Sequence, residues 1–125
     1  MRTLFHPLAA TIWKNINRFV TNWKVFMPIR HLVLLRFKDA ATAEQRQHLE
    51  QEFSALQSKI SAVQSLEWGT NNSPEGLAKG FTHCFNLTFA DEAARARYLP
   101  HPAHLAFVDI LKPALDDVLV LDYAV

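Results

Sequence analysis

The stretch FTHCFNLTF, Phe81 to Phe89, decides how the rest of the chain is read. Phe81, His83, Phe85, Leu87 and Phe89 share one side, and Thr82, Cys84, Asn86 and Thr88 share the other. That is the period of a β-strand with one apolar face. His83 is the only polar member of that face, and such a face needs a layer to pack against.

Working back towards the N-terminus, TNNSPEGLAKG (70–80) has the Asn, Ser, Pro and Gly of a loop. VQSLEWG (63–69) reads as a strand ending at Gly69. Before it, Thr42 and Gln45 form a capping box, opening a helix with the stripe Leu49, Phe53, Leu56 and Ile60. RHLVLLRFK (30–38) is the first strand. Towards the C-terminus, Asp91 caps a short helix that runs through Leu99. Pro100 and Pro102 push the residues before them out of α geometry, so the helix breaks there. A second helix starts near Pro102, carries Leu105, Phe107, Val108 and Leu111, and ends before Pro113. DDVLVLDYAV (116–125) is the last strand. The order β-α-β-β-α-β predicts a ferredoxin-like α+β domain, an antiparallel sheet with its helices on one face.

The other face of that sheet then carries Leu32 and Leu34 from the first strand and Leu119, Leu121 and Tyr123 from the last. An apolar surface of that size needs a cover, and an identical sheet from a second chain is the simplest one. A homodimer is expected.

Charge divides the chain in two near Met27. Residues 1–26 carry Arg2, Lys14, Arg18 and Lys24 with no acid, a net +4. Residues 27–125 hold nine bases against all twelve acids, a net −3. The extension 1–26 sets Ile12, Trp13, Ile16, Phe19, Val20 and Trp23 at helical spacing, an amphipathic pattern too interrupted for a membrane span. It reads as a membrane-surface or docking helix, as a targeting leader, or as a stretch upstream of a true start at Met27. Membrane contact is expected only if residues 1–26 belong to the protein. Its basic charge is too sparse for a nucleic-acid partner. No phosphate-loop, dinucleotide or standard zinc motif occurs, and the single Cys84 suits a reducing cytoplasm.

The candidate chemistry gathers at YLPHPAH, Tyr98 to His104. His101, held between two prolines, reads as a structural corner. His104 falls in the first helical turn, where the positive end of the helix dipole disfavours a charged ring. Tyr98 precedes the break, so the corner can bring its hydroxyl to the His104 ring. A neutral imidazole beside a phenol suits enolate chemistry, the ring taking a proton α to a carbonyl and the phenol supporting the oxyanion. His31 and His83 lie on inner strand faces. Taken singly, each reads as a buried, hydrogen-bonded ring. A metal would enlist His31, His83 and His104 together, but these lack motif spacing or an obvious carboxylate partner, so no metal is expected. Val33, Leu35, Leu49, Phe53 and Leu66 should face the space between sheet and helices. So should Phe85, Leu99, Phe107, Leu115, Val118 and Val120. They line either a pocket for a small apolar or aromatic molecule or a dry core. Cys84 is read as inert.

HLVLLRFKD, GTNNSPEG, GFTH, YLPHPAH and LVLDY occur in this order across residues 29–123. Together they resemble the Dabb domain, the stress-responsive dimeric α/β-barrel family. The resemblance implies two ferredoxin-like subunits joined through their sheets, and it says nothing about residues 1–26. A minority of members are cofactor-free polyketide cyclases that act by aldol-type condensation. Their catalytic tyrosine and histidine fall on Tyr98 and His104, and two further pocket histidines on His31 and His83. Against that group Leu115 replaces an aromatic residue, Phe53 a tyrosine and Phe85 a valine, which changes the pocket's volume.

Overall fold

Thr42 opens the principal helix. Its hydroxyl accepts the Gln45 N–H at 3.1 Å while the Gln45 side chain accepts the Thr42 N–H at 2.8 Å, the reciprocal bonds expected from the sequence. The computed structural model describes residues 27–125, so every expectation for residues 1–26 lies outside the described residues. The elements run β1 (Ile29–Phe37), α1 (Ala43–Lys59), β2 (Ser65–Thr70), β3 (His83–Phe89), α2 (Glu92–Tyr98) and α3 (Pro102–Leu111). A 3-10 turn (Lys112–Ala114) then leads into β4 (Leu115–Ala124). The four strands lie in the order β2-β3-β1-β4, with every neighbouring pair antiparallel. This is the ferredoxin-like arrangement.

Element ends differ from the sequence reading by a residue or two. Val63 is buried in the turn after α1, and β2 begins only at Ser65. Phe81 and Thr82 precede β3, and Phe81 lies under the Arg36 guanidinium at 5.6 Å. Gly80 makes that approach possible. It has φ +84°, and a Cβ there would stand 2.7 Å from the Arg36 side chain.

The inner face of the sheet follows the alternation closely. Ile29, His31, Val33, Leu35 and Phe37 of β1 are buried, as are His83, Phe85, Leu87 and Phe89 of β3. Leu49, Phe53 and Leu56 of α1 and Phe107 and Leu111 of α3 meet them. At the centre the Phe53 and Phe85 rings stack at 3.9 Å. Phe107 lies 4.8 Å from Phe53, and Trp68 stacks 5.2 Å from Phe85.

Edge strand β4 departs from the expectation. Val118 and Val120 pair with Leu35 and Val33, so they do face the helix side, yet they are 46% and 48% exposed. Sequence alternation sets a side chain's face, but it does not say how far the covering helices reach. On the outer face Leu119, Leu121 and Tyr123 are exposed, with Leu32 and Leu34 half-buried beside them. Leu105, assigned to the apolar stripe of α3, is also exposed because only Phe107 and Leu111 turn inward. Among the described residues no helix is long and apolar enough to cross a membrane.

Candidate functional site

The corner between α2 and α3 gives its two histidines opposite duties. His101 is the N-cap of α3, and its Nδ1 accepts the Ala103 N–H at 3.0 Å. Pro102 follows at the first helical position, where its missing N–H costs nothing. One half-turn on, His104 Nδ1 lies 2.8 Å from the Leu99 carbonyl oxygen. A carbonyl can only accept, so Nδ1 carries the hydrogen and, in the neutral ring, the lone pair sits on Nε2. The His104 ring lies 4.4 Å from the ring of Tyr98, which is only 1% exposed. Burial pushes the Tyr98 phenol well above its ordinary value, so the hydroxyl keeps its proton and can donate it.

His31 joins this corner from β1. Its ring stands 6.0 Å from Tyr98 and 5.8 Å from Phe89. Asp122, its strand neighbour on β4, accepts from His31 Nδ1 at 2.7 Å through one oxygen. The other oxygen accepts from the Arg95 guanidinium of α2 at 2.9 Å. The expectation that no carboxylate serves the histidines is therefore wrong. Asp122 shares the inner parity of Val118 and Val120, and an acid in register with His31 on that face was the signal that sequence reasoning passed over.

His83 stands apart. It pairs with Leu35 on β1, four residues beyond His31, or about 13 Å along the strand. Its Nε2 meets Glu50 of α1 at 2.6 Å and its Nδ1 meets the Thr82 hydroxyl at 2.7 Å. Trp68 stacks parallel to the ring at 5.8 Å. Glu50 and Trp68 border a depression of about 480 Å³ with Gln47, Gln51 and Ser54. His31, Tyr98 and His104 thus come together, and His83 does not join them.

The expected lining divides as well. Val33, Leu35, Leu49, Phe53, Phe85 and Phe107 are buried against one another as core, with Leu66 and Leu115 half-buried at its margin. Leu99, expected inside, is 46% exposed because it caps α2 at the turn to the surface. Two further depressions lie elsewhere. One of about 480 Å³ touches Leu34, Cys84 and Asn86 on the outer face, and one of about 420 Å³ lies between His48 and Pro113. Neither includes Tyr98 or His104. Burial raises the Cys84 thiol, which works against thiolate chemistry. Among the described residues no three His, Cys, Asp or Glu side chains cluster to hold a metal ion.

Comparison with known proteins agrees with this architecture. The chain is 38% identical over 96 residues to the stress-response A/B barrel domain-containing protein HS1 of Arabidopsis thaliana, covering 77% of this chain and 88% of that protein. It is 30% identical over 97 residues to olivetolic acid cyclase of Cannabis sativa, covering 78% and 96%. The hydroxynitrile lyase of Passiflora edulis superposes with a TM-score of 0.76 at 28% identity, covering 80% of this chain and 94% of that one. A ferredoxin-like protein of unknown function from Thermobifida fusca, described as dimeric, superposes at 0.67 with 28% identity, covering 79% and 92%. The model of the Dabb family, the stress responsive A/B barrel domain, matches residues 29–125, and the chain belongs to that family.

Proposed function

We propose that the protein is a homodimer and that each protomer binds a small apolar or aromatic carbonyl compound at the Tyr98–His104–His31 corner. One observation carries the reading: His104 turns Nδ1 to the Leu99 carbonyl, leaving Nε2 free beside a buried phenol that keeps its proton. A ligand carbonyl seated there accepts from the Tyr98 hydroxyl, and its apolar body lies along Leu99, Val118 and Val120. The outer sheet face, with Leu32, Leu34, Leu119, Leu121 and Tyr123, joins the two copies. Its exposed leucines and the dimeric Thermobifida fusca relative support that arrangement. Sedimentation at micromolar concentration should give twice the chain mass of 14.3 kDa, and a monomer would refute the dimer.

Ring-nitrogen NMR tests the site. An acyl-resorcinol probe should shift His104 most and His31 next, leaving His83 unmoved. If no ring responds, the binding reading fails.

A second reading, turnover, is favoured by the same His104 tautomer. Nε2 removes a proton α to one carbonyl, and the Tyr98 hydroxyl supports the enolate oxygen. The enolate carbon then bonds to a second carbonyl of the same molecule, and the new alkoxide takes its proton back from His104. No cofactor enters these steps. The names of two similar proteins, a cyclase and a lyase, are in keeping with it. His104→Ala should abolish cyclisation of a polyketide-like β-dicarbonyl compound while the dimer persists; equal activity in both forms would remove the assignment. We place the protein in the cytoplasm, where a single unpaired cysteine suits the reducing conditions, a location that a fluorescent fusion can check.

A further inference from the structure

The outer face of the sheet is uneven. One cross-strand row runs Leu119, Leu34, Cys84, Gly69, so its large side chains stand on β4 and β1 and its small ones on β3 and β2. At Gly69 no side chain stands at all, and even an added Cβ would meet nothing within 4 Å. The depression of about 480 Å³ on this side, touched by Gly69, Cys84 and Asn86, is the result. At the opposite edge Leu119, Leu121 and Tyr123 of β4 are exposed. The face thus carries a ridge along one edge and a hollow along the other. The hollow also holds an unsatisfied atom: Asn86 Oδ1 is buried and has no hydrogen-bond partner among the described residues. Such atoms are rare in folded proteins. Of the three ridge side chains only Tyr123 carries a donor. We infer that in the dimer the ridge of each copy seats in the hollow of the other, the Tyr123 hydroxyl donating to Asn86 Oδ1 of the partner subunit.

The inference rests on the proposed dimer and adds its register. Sheets packed face to face in the aligned way keep their strands within about 30° of each other. Two identical faces can then be stacked about a twofold axis in two ways. An axis across the strands lays β4 on β4, ridge against ridge, and leaves both hollows empty. An axis along the strands lays β4 of each copy over the β2–β3 side of the other, because β4 and β2 are the two edge strands. Each ridge then meets a hollow, and symmetry makes the contact twice. The other long donors of this face are engaged within the protomer. Arg30 donates to the Thr88 hydroxyl at 2.7 Å, and Arg36 lies over the Phe81 ring with Asp117 beside it. A small turn of the Asn86 amide presents its oxygen to the hollow, since that torsion is broad.

Disulfide trapping in the full chain tests the register. Cys84 is the chain's single cysteine and lies in the hollow. Leu119→Cys adds a thiol on the ridge, in the same row. Within one protomer β1 separates the two positions by about 10 Å, too far for a disulfide. Oxidation with copper phenanthroline should give a covalent dimer whose peptides join position 119 to position 84. Leu121→Cys, one row along, should link to position 84 as well, so poor folding of either variant leaves the test standing. If sedimentation shows a dimer but the links join 119 to 119, or none form, the register is overturned and the dimer stands. A monomer in sedimentation would remove the dimer and the inference with it. The hydrogen bond is read from the dimer Kd. Tyr123→Phe and Asn86→Ala should each raise it by up to about tenfold, and the double variant little further. Additive effects, or no change with Tyr123→Phe, would overturn that contact.

Discussion

His31 and His83 obey the same rule and end in different company. Both sit on the inner parity of central strands, both are buried, and both are paired with a carboxylate. His83 stacks against Trp68 and meets Phe37 edge-on at 5.0 Å, beside the Phe53–Phe85–Phe107 cluster. His31 faces Tyr98 and, through it, His104, at the corner between α2 and α3. Strand alternation decides that a histidine goes inward. The helix above it decides whether the ring is packed into a core or set beside a reactive group.

That contrast can be broken most forcefully at the aromatic stack. Phe85→Ala removes the ring between Phe53 and Trp68 and should cost about 3–5 kcal/mol of stability, read from urea unfolding. A loss under about 1 kcal/mol would mean that the centre is not close-packed. The two carboxylates give the sharper comparison. Glu50→Gln and Asp122→Asn should each cost about 1–3 kcal/mol, since each weakens a bond to a buried ring. Only Asp122→Asn should also blunt the ligand response of the His31 and His104 ring nitrogens. Equal blunting by Glu50→Gln would merge the two stations into one.

The last comparison is one of pH. Burial raises the Tyr98 phenol above its ordinary value of 10.0, so the unfolded chain releases this proton at a lower pH than the folded one. The stability this group contributes is whole below about pH 10 and is lost as pH climbs towards the raised folded value, by up to about 1.4 kcal/mol per pH unit. Tyr98→Phe should flatten that decline in urea midpoints measured across the alkaline range. An unchanged slope would mean that the phenol is not buried in solution.

Local chemistry was legible in the sequence. The alternation of residues 81–89, the Thr42–Gln45 box and the proline corner each specify geometry within a few residues, and the structure follows them. The partners of the histidines were not legible, because His31 meets Asp122 and His83 meets Glu50 only once the sheet and α1 are assembled. Nor does sequence reveal whether Phe53, Phe85 and Phe107 line a space or fill it. Three apolar rings do either, and only their stacking distances decide for the filled core. The exposure of Val118 and Val120 was hidden for a similar reason, since nothing in β4 itself records where the helices stop.

The strand order also has a consequence for how the protein is made. Among the described residues β1 is the first strand to be synthesised; it lies between β3 and β4, and β4 is the last strand of the domain. Ile29 must wait for Ala124, so one edge of a largely apolar strand stays unpaired until translation of the domain is almost complete. Pairing over such a sequence distance is slow, and an open apolar edge invites association with other nascent chains. A chain stalled before β4 would lack Asp122 as well, so an aborted product would be both sticky and without the carboxylate that holds His31.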